Sequence, residues 1–255
     1  MSWAARRRFF ILLIIGLVLG AFLIVVGYVT LHHAPSCSDG IQNEGEQGVD
    51  CGGPCPYLCT SLEQPPTVLY TTVLPGAAPD SADIVAEIEN KNPTAAAKAV
   101  PYTLRLYGAD RTLVQQLTGT VDFPPGVTMP VFVPNISVGS QTVTEAFLSI
   151  ASSAPRWYAL STDPRILPTV SNTMLGGTNS APRITVLLTN PSAVVLSEVP
   201  LDVLVTDVQG NVIAASHTLV PSIGGGGTAQ ATFTWNKPFP GAPSAIQVVP
   251  VVPLP

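Results

Sequence analysis

The sequence is poor in charge. Only 11% of its 255 residues are Asp, Glu, Lys or Arg, against about a quarter in an ordinary soluble protein. Aromatic residues make up only 7%. Cysteine is missing outside positions 37–59, and His217 is the one histidine beyond position 33. A Ser-His-acid hydrolase needs a base within hydrogen-bond reach of its nucleophile. His217 sits in VIAASHTLV, where it alternates with Ile213 and Ala215 and reads as a packed or edge histidine. There is no H-E-x-x-H, G-x-S-x-G or P-loop. The acids of the C-terminal two thirds, among them Asp83, Glu87, Asp122, Asp202 and Asp207, fall on expected outer faces and turns, and no glycosidase-like pair stands out. The sequence therefore reads as that of a non-enzyme. Beyond the N-terminal run described next, no segment keeps a 3.6-residue apolar period.

What charge there is lies unevenly. Three arginines, Arg6, Arg7 and Arg8, precede Phe9–Leu31, 23 residues with no charge at all. As a helix that run spans about 35 Å, enough to cross a bilayer. It exceeds the apolar core of a secretory leader, about 7–15 residues. The spacing predicts a retained signal-anchor, and the positive-inside rule puts 1–8 in the cytoplasm as a short tail. His32 and His33 then fall at the outer interface and read as anchors more than metal ligands. Gly16 and Gly20 form a G-x-x-x-G pair, a weak helix-packing signal. Beyond position 33 there are 8 Lys and Arg against 16 acids. Such an acidic ectodomain argues against nucleic acid as a partner.

Much of the remaining chain repeats. The Asn-Pro pairs of VAEIENKNP (85–93) and RITVLLTNP (183–191) align with a shift of 98. VPYTLRLYGADRTLV (100–114) aligns with VPLDVLVTDVQGNVI (199–213), and FPPGVT (123–128) with IGGGGT (223–228). Each copy reads as short strands. TAQATFTW (228–235) alternates Ala229, Ala231, Phe233 and Trp235 with Thr228, Gln230, Thr232 and Thr234, the period of a half-buried strand. GADR and DVQGN read as hairpin turns, and GGGG (224–227) as a strand-to-strand turn. The fold expected is mainly β: the transmembrane helix at 9–31, a Cys-rich segment at 34–60, and tandem Ig-like β-sandwiches at 67–154 and 169–255. A Pro-bearing linker at 155–168 joins the sandwiches, with Trp157 at their seam. Asn135-Ile136-Ser137 is an acceptor sequon, of weight only in a host that glycosylates such sites.

The Cys-rich stretch reads CSDGIQNEGEQGVDCGGPCPYLC, with Cys37, Cys51, Cys55 and Cys59. Zinc sites usually offer C-x2-4-C pairs at two separated positions, and a redox C-x-x-C is absent. An even number of cysteines in a short segment with almost no apolar core, outside the cytoplasm, predicts two disulfides. Three pairings stay open. Asp39, Asn43, Glu44, Glu46 and Asp50 put oxygen ligands within twelve residues. The pattern is not an EF-hand, because Ile41, Glu44 and Asp50 hold the third, sixth and last places. A different Ca²⁺ loop and a polar loop turned by glycines both remain open; no other cofactor is expected.

Two resemblances follow from these residues. LRLYGADRTLV and LVTDVQGNVIAAS resemble the FxLYD-type, immunoglobulin-like sandwich of bacterial surface proteins. The first copy has Gly108 where that pattern has Asp, and the second has Thr206 for Tyr. The Cys-rich stretch is similar to the C-x-DGIQN-x-GE-x-GVDCGGPC segment of uncharacterised single-pass bacterial proteins, candidate-phylum ones included. Those proteins carry an anchor, this motif and paired sandwiches in the order found here. The resemblance implies a surface protein and supplies no catalytic residues.

Together these readings predict a single-pass protein of the cell membrane, with its β domains outside. Its expected role is structural or adhesive, meeting another protein, a glycan or a neighbouring copy as a homo-oligomer. An accessory subunit of a secretion or pilus-type envelope complex is the alternative, and an enzyme of unknown class stands behind both.

Overall fold

The computed structural model describes residues 3–31, 36–43, 45–153 and 155–255. His32, His33 and Glu44 lie outside the described residues. The described chain is mainly β, with one helix, α1 (Trp3–Leu31), and thirteen strands. It divides into two compact units, Met1–Cys59 and Thr60–Pro255.

α1 begins before the apolar run, so Arg6, Arg7 and Arg8 belong to its first turns. Ala and Arg are good helix formers, which explains the extension. The stretch Arg6–Val29 has the length and composition to cross a membrane. Its large side chains, Leu12, Leu17, Phe22 and Ile24 among them, are exposed.

Thr60–Pro255 holds two sandwiches built on one strand plan. In the first, β1 (Thr67–Pro75), β2 (Ser81–Glu89) and β5 (Thr128–Ser137) form a sheet in the order β1-β2-β5. Facing it, β4 (Leu113–Phe123), β3 (Ala95–Tyr107) and β6 (Glu145–Ile150) run in the order β4-β3-β6. The second sandwich uses β8 (Thr169–Thr178), β9 (Ala181–Thr189), β10 (Leu196–Thr206), β11 (Val212–Ile223), β12 (Thr228–Thr234) and β13 (Ala245–Pro250). Its sheets are β12-β9-β8 and β11-β10-β13, so strand for strand the plan is that of the first. The short β7 (Tyr158–Ala159), within the expected linker, pairs with β3 at Ala95 and Ala96. Trp157 is buried beside it against Phe123, ring centroids 5.8 Å apart. The start of the expected linker thus packs on the first sandwich, with Trp157 buried against Phe123.

Period-2 alternation fills both cores. Ile184, Val186 and Leu188 on β9 meet Leu201, Val203 and Val205 on β10, all without exposed surface. Ala231 and Phe233 on β12 join them, while the intervening threonines face solvent. DVQGN turns from β10 to β11 as expected, with Gly210 at φ +85°, a conformation open to glycine at little cost.

One polar residue recurs inside each sandwich. The amide of Asn90 donates to the carbonyls of Ala95 and Pro124, and its Oδ1 accepts from Asn92 N. The amide of Asn190 donates to Val194, Ile223 and Gly224 carbonyls, and its Oδ1 accepts from Ser192 N. Each side chain ties the end of one sheet to two connecting loops. This moves an alignment: the Asn-Pro pairs match at a shift of 98, but the hydrogen bonds match Asn90 with Asn190. The side chain that the buried carbonyls need, not the proline after it, sets the correspondence.

The sandwiches pack face against face. Leu74, Val85, Tyr70 and Phe132, on the outer face of β1-β2-β5, form one cluster with Leu204, Val212 and Ala215 of the second sandwich. Val85 has no exposed surface. Further bonds pin the arrangement. Arg165 grips Asp163 through Nε and Nη2 and donates from Nη1 to the Val252 carbonyl at 2.9 Å. Leu254 is buried, and its N–H donates to Asp122 Oδ2 at 2.7 Å. The four sheets thus stack in layers, with the two inner ones in contact through their outer faces.

Candidate functional site

Two places gather polar chemistry, one in each compact unit. The first is the Cys-rich segment. Cys37 bonds Cys55, and Cys51 bonds Cys59, which selects one of the three pairings left open by sequence. Two of the glycines between them, Gly48 and Gly53, leave no room for a side chain. A Cβ on Gly48 would lie 2.9 Å from Cys51 Sγ and 3.0 Å from Cys59 Sγ. A Cβ on Gly53, at φ +60°, would strike the Gly45 carbonyl.

The acids of this segment hold its backbone. Asp39 accepts from Ser36 N, Ile41 N and the Asn43 amide. Both carboxylate oxygens of Asp50 accept from Gly40 N, at 3.1 and 3.0 Å. Glu46, 7% exposed, accepts through Oε2 from Asn43 N and Asp50 N. Its Oε1 lies 2.9 Å from Cys55 Sγ. A disulfide sulfur carries no proton, so that approach is a sulfur–oxygen contact and not a hydrogen bond. Cys37, Glu46 and Cys55 also lie close enough to share an ion. The disulfide between the two cysteines removes the thiolates such a site needs. Of the oxygen ligands expected for Ca²⁺, Asp39 and Asn43 touch directly, and Glu46 binds the backbone of Asn43 and Asp50. Backbone donors already engage these carboxylates. Asn43 Oδ1 is buried without a hydrogen-bond partner among the described residues.

The second place is a cleft of about 640 Å³ between the two sandwiches. Phe132 reaches it from β5, Asp83 from β2 and His217 from β11, and Trp235, Lys237 and Phe239 come from the loop after β12. That loop is braced. Trp235 Nε1 donates to the Ala215 carbonyl at 3.1 Å, its ring meets Phe239 edge-on at 5.0 Å, and Lys237 Nζ donates to the Gly76 carbonyl of the first sandwich.

Asn135 stands at the cleft in the left-handed region, φ +55°. Asparagine tolerates this better than most residues, and its N–H donates to Asp83 Oδ1 at 2.7 Å. Burial pushes the Asp83 carboxyl above the usual carboxylate range, against the pull of that bond. The other oxygen, Oδ2, has no hydrogen-bond partner among the described residues.

Behind the cleft, Asp202 Oδ1 lies 2.6 Å from His217 Nδ1. Asp202 is 5% exposed. The sequence reading put it on a solvated outer face; it does lie on the outer face of its own sandwich, but the other sandwich covers that face. Desolvation pushes its carboxyl up, and the His217 bond offsets only part of the rise. His217 is exposed on the edge strand β11, the edge histidine of the two expected alternatives, and it is the partner of a buried acid. Asp83, Asp202, Trp235 and Lys237 were not singled out by sequence as a group. One signal was available: Ile84-Val85-Ala86 and Val203-Leu204-Val205 are unbroken apolar triplets, and an unbroken run marks a strand buried on both faces.

Comparison with known proteins assigns little. No family model matches the chain, and no curated protein matches it. Among solved structures, red sea bream transglutaminase aligns at 13% identity with a TM-score of 0.24. The alignment covers 74% of this chain and 31% of that one, so the chain spans about a third of that enzyme's length. A score that low carries no argument about chemistry.

Proposed function

We propose that this chain is a surface protein with a display or adhesive role, anchored in the cell membrane by α1, with the Cys-rich segment and both sandwiches outside. The observation that carries the reading is the chain order: an apolar helix with arginines on its first turns, then two disulfides, then the sandwiches. Structural disulfides belong to oxidising compartments. The arginines favour a cytoplasmic N-terminus. The matching strand plans and the matching Asn90 and Asn190 bonds support descent of the sandwiches from one duplicated module, with boundaries near 67–154 and 169–255. The Cys-rich motif supports kinship with the anchored surface proteins it resembles. In this reading the covalent segment is a spacer, and the stacked sandwiches present a stiff surface to a protein or a glycan.

Protease protection on intact cells tests the topology. External protease should remove the sandwiches and leave the N-terminus protected; protection of the sandwiches overturns the reading. Crosslinking in native membranes tests the role. Capture of foreign surface molecules is expected, and capture of a fixed set of envelope subunits would favour membership of a secretion or pilus-type machine instead.

A further inference from the structure

The cleft between the sandwiches has the dimensions of a small-ligand site, since such sites usually measure about 300–1,000 Å³. Its walls combine two chemistries. Phe132, Trp235 and Phe239 supply aromatic surface. Asp83, Asn135 and Lys237 supply an acceptor, an amide and an ammonium. Trp235 and Phe239 are half-buried and braced by the contacts already described, and Phe132 packs in the seam cluster. Asp83 and Lys237 set one carboxylate against one ammonium, and His217, also in the lining, is paired with Asp202 behind it, so charge does not single out an anion or a cation.

Three features make this a built site more than a crevice between two bodies. Asn135 is held at positive φ where the chain passes the cleft. Asparagine adopts this conformation more readily than most residues, and its N–H on Asp83 holds the turn there. The Asp83 carboxylate spends one oxygen fixing that turn and keeps the other unengaged, although it is partly withdrawn from water. Finally, both sandwiches contribute, so the site exists only in the stacked arrangement that Val85 and Leu204 hold together.

We propose that the cleft binds a neutral saccharide, its C–H face against the aromatic wall and its hydroxyls on Asp83 and Asn135. The ligand class follows from the pairing. A pyranose has one apolar face and a rim of hydroxyls that donate and accept, and aromatic rings attract C–H groups at their faces. A carboxylate oxygen with no partner accepts from a hydroxyl without needing an opposite charge on the ligand. For its biological setting the inference rests on the display reading above.

The test uses the full chain in lipid nanodiscs, applied to an array of neutral and acidic oligosaccharides. Saturable capture of neutral members is expected. Asp83→Asn and Asn135→Gly should each weaken capture at least tenfold; the glycine keeps the positive φ, and unchanged melting curves would show that neither variant has lost its fold. Arg105→Ala, on the far face of the first sandwich, should bind as wild type. Absence of capture overturns the proposal. So does capture that survives both substitutions, or capture confined to acidic glycans and removed by salt. The protease-protection result is read beside it: external sandwiches that bind no sugar remove this inference alone, and cytoplasmic sandwiches remove the display reading alone.

Discussion

Asp202 and His217 face each other across β10 and β11, Oδ1 to Nδ1 at 2.6 Å, beneath a cleft that neither strand forms alone. With Asp83 on the opposing sandwich, the seam holds two carboxyls pushed up by burial. A carboxyl raised in the folded state binds protons more readily there than in the unfolded chain. Its contribution is complete below the unfolded value and is lost as pH rises through the folded one. Wild type should therefore gain stability relative to Asp83→Asn/Asp202→Asn as pH falls from neutral into the carboxylate range. Comparison with the variant is essential. Asp110 and Asp207, held low by bonds from Thr112 and Asn211, pull the other way, as does Asp163, which Arg165 holds low despite its partial burial. Denaturant titrations at several pH values check this; a difference independent of pH would refute it.

The seam itself is expected to fail at one position. Val85→Lys places an unpaired ammonium in a contact with no exposed surface. Such burial costs several kcal/mol if the contact stays shut, so the sandwiches should separate instead. Small-angle scattering should show a larger radius of gyration, with the circular dichroism of both sandwiches kept. An unchanged radius would mean that the other bonds suffice.

Removing the buried amides should hurt each sandwich alike. Asn90→Ala and Asn190→Ala strand two or more carbonyls, each loss worth about 1–3 kcal/mol. Both should lower the unfolding free energy by about 2–4 kcal/mol, measured by urea denaturation. Asn211→Ala, at an exposed turn, should cost far less.

Non-reducing peptide mapping should link Cys37 to Cys55 and Cys51 to Cys59, with no free thiol. The two bridges close loops of 18 and 8 residues. On chain entropy alone, losing the longer one should cost about 0.7 kcal/mol more. Paired Cys→Ser variants measured by melting would show it. A mixed or free pattern would break the covalent account of this segment.

Sequence alone reached the strands, the turns and the covalent nature of residues 37–59, because those signals are local. Alternation in TAQATFTW needs only its own pleat, and DVQGN needs only its own turn. The disulfide pairing lay beyond it, since four cysteines so close together leave every pairing within reach. The seam lay beyond it for a different reason. Whether Asp202 meets water depends on a surface 70 or more residues away in sequence, Tyr70, Val85 and Phe132 among its members. The apolar triplets around Val85 and Leu204 hinted at two-sided burial without saying what covers them.

The same correspondence between sandwiches shows where layering stops. Thr185 occupies on β9 the place of Val85 on β2, and Arg105 occupies on β3 the place of Leu204 on β10. At these positions the joining faces carry Val85 and Leu204, while their counterparts carry a half-buried threonine and an exposed arginine beside Phe147. The pair behaves as a domino with matched numbers inward and blanks outward. A chain concatenated from this unit would remain a string of separate dominoes until positions 105 and 185 were themselves made apolar.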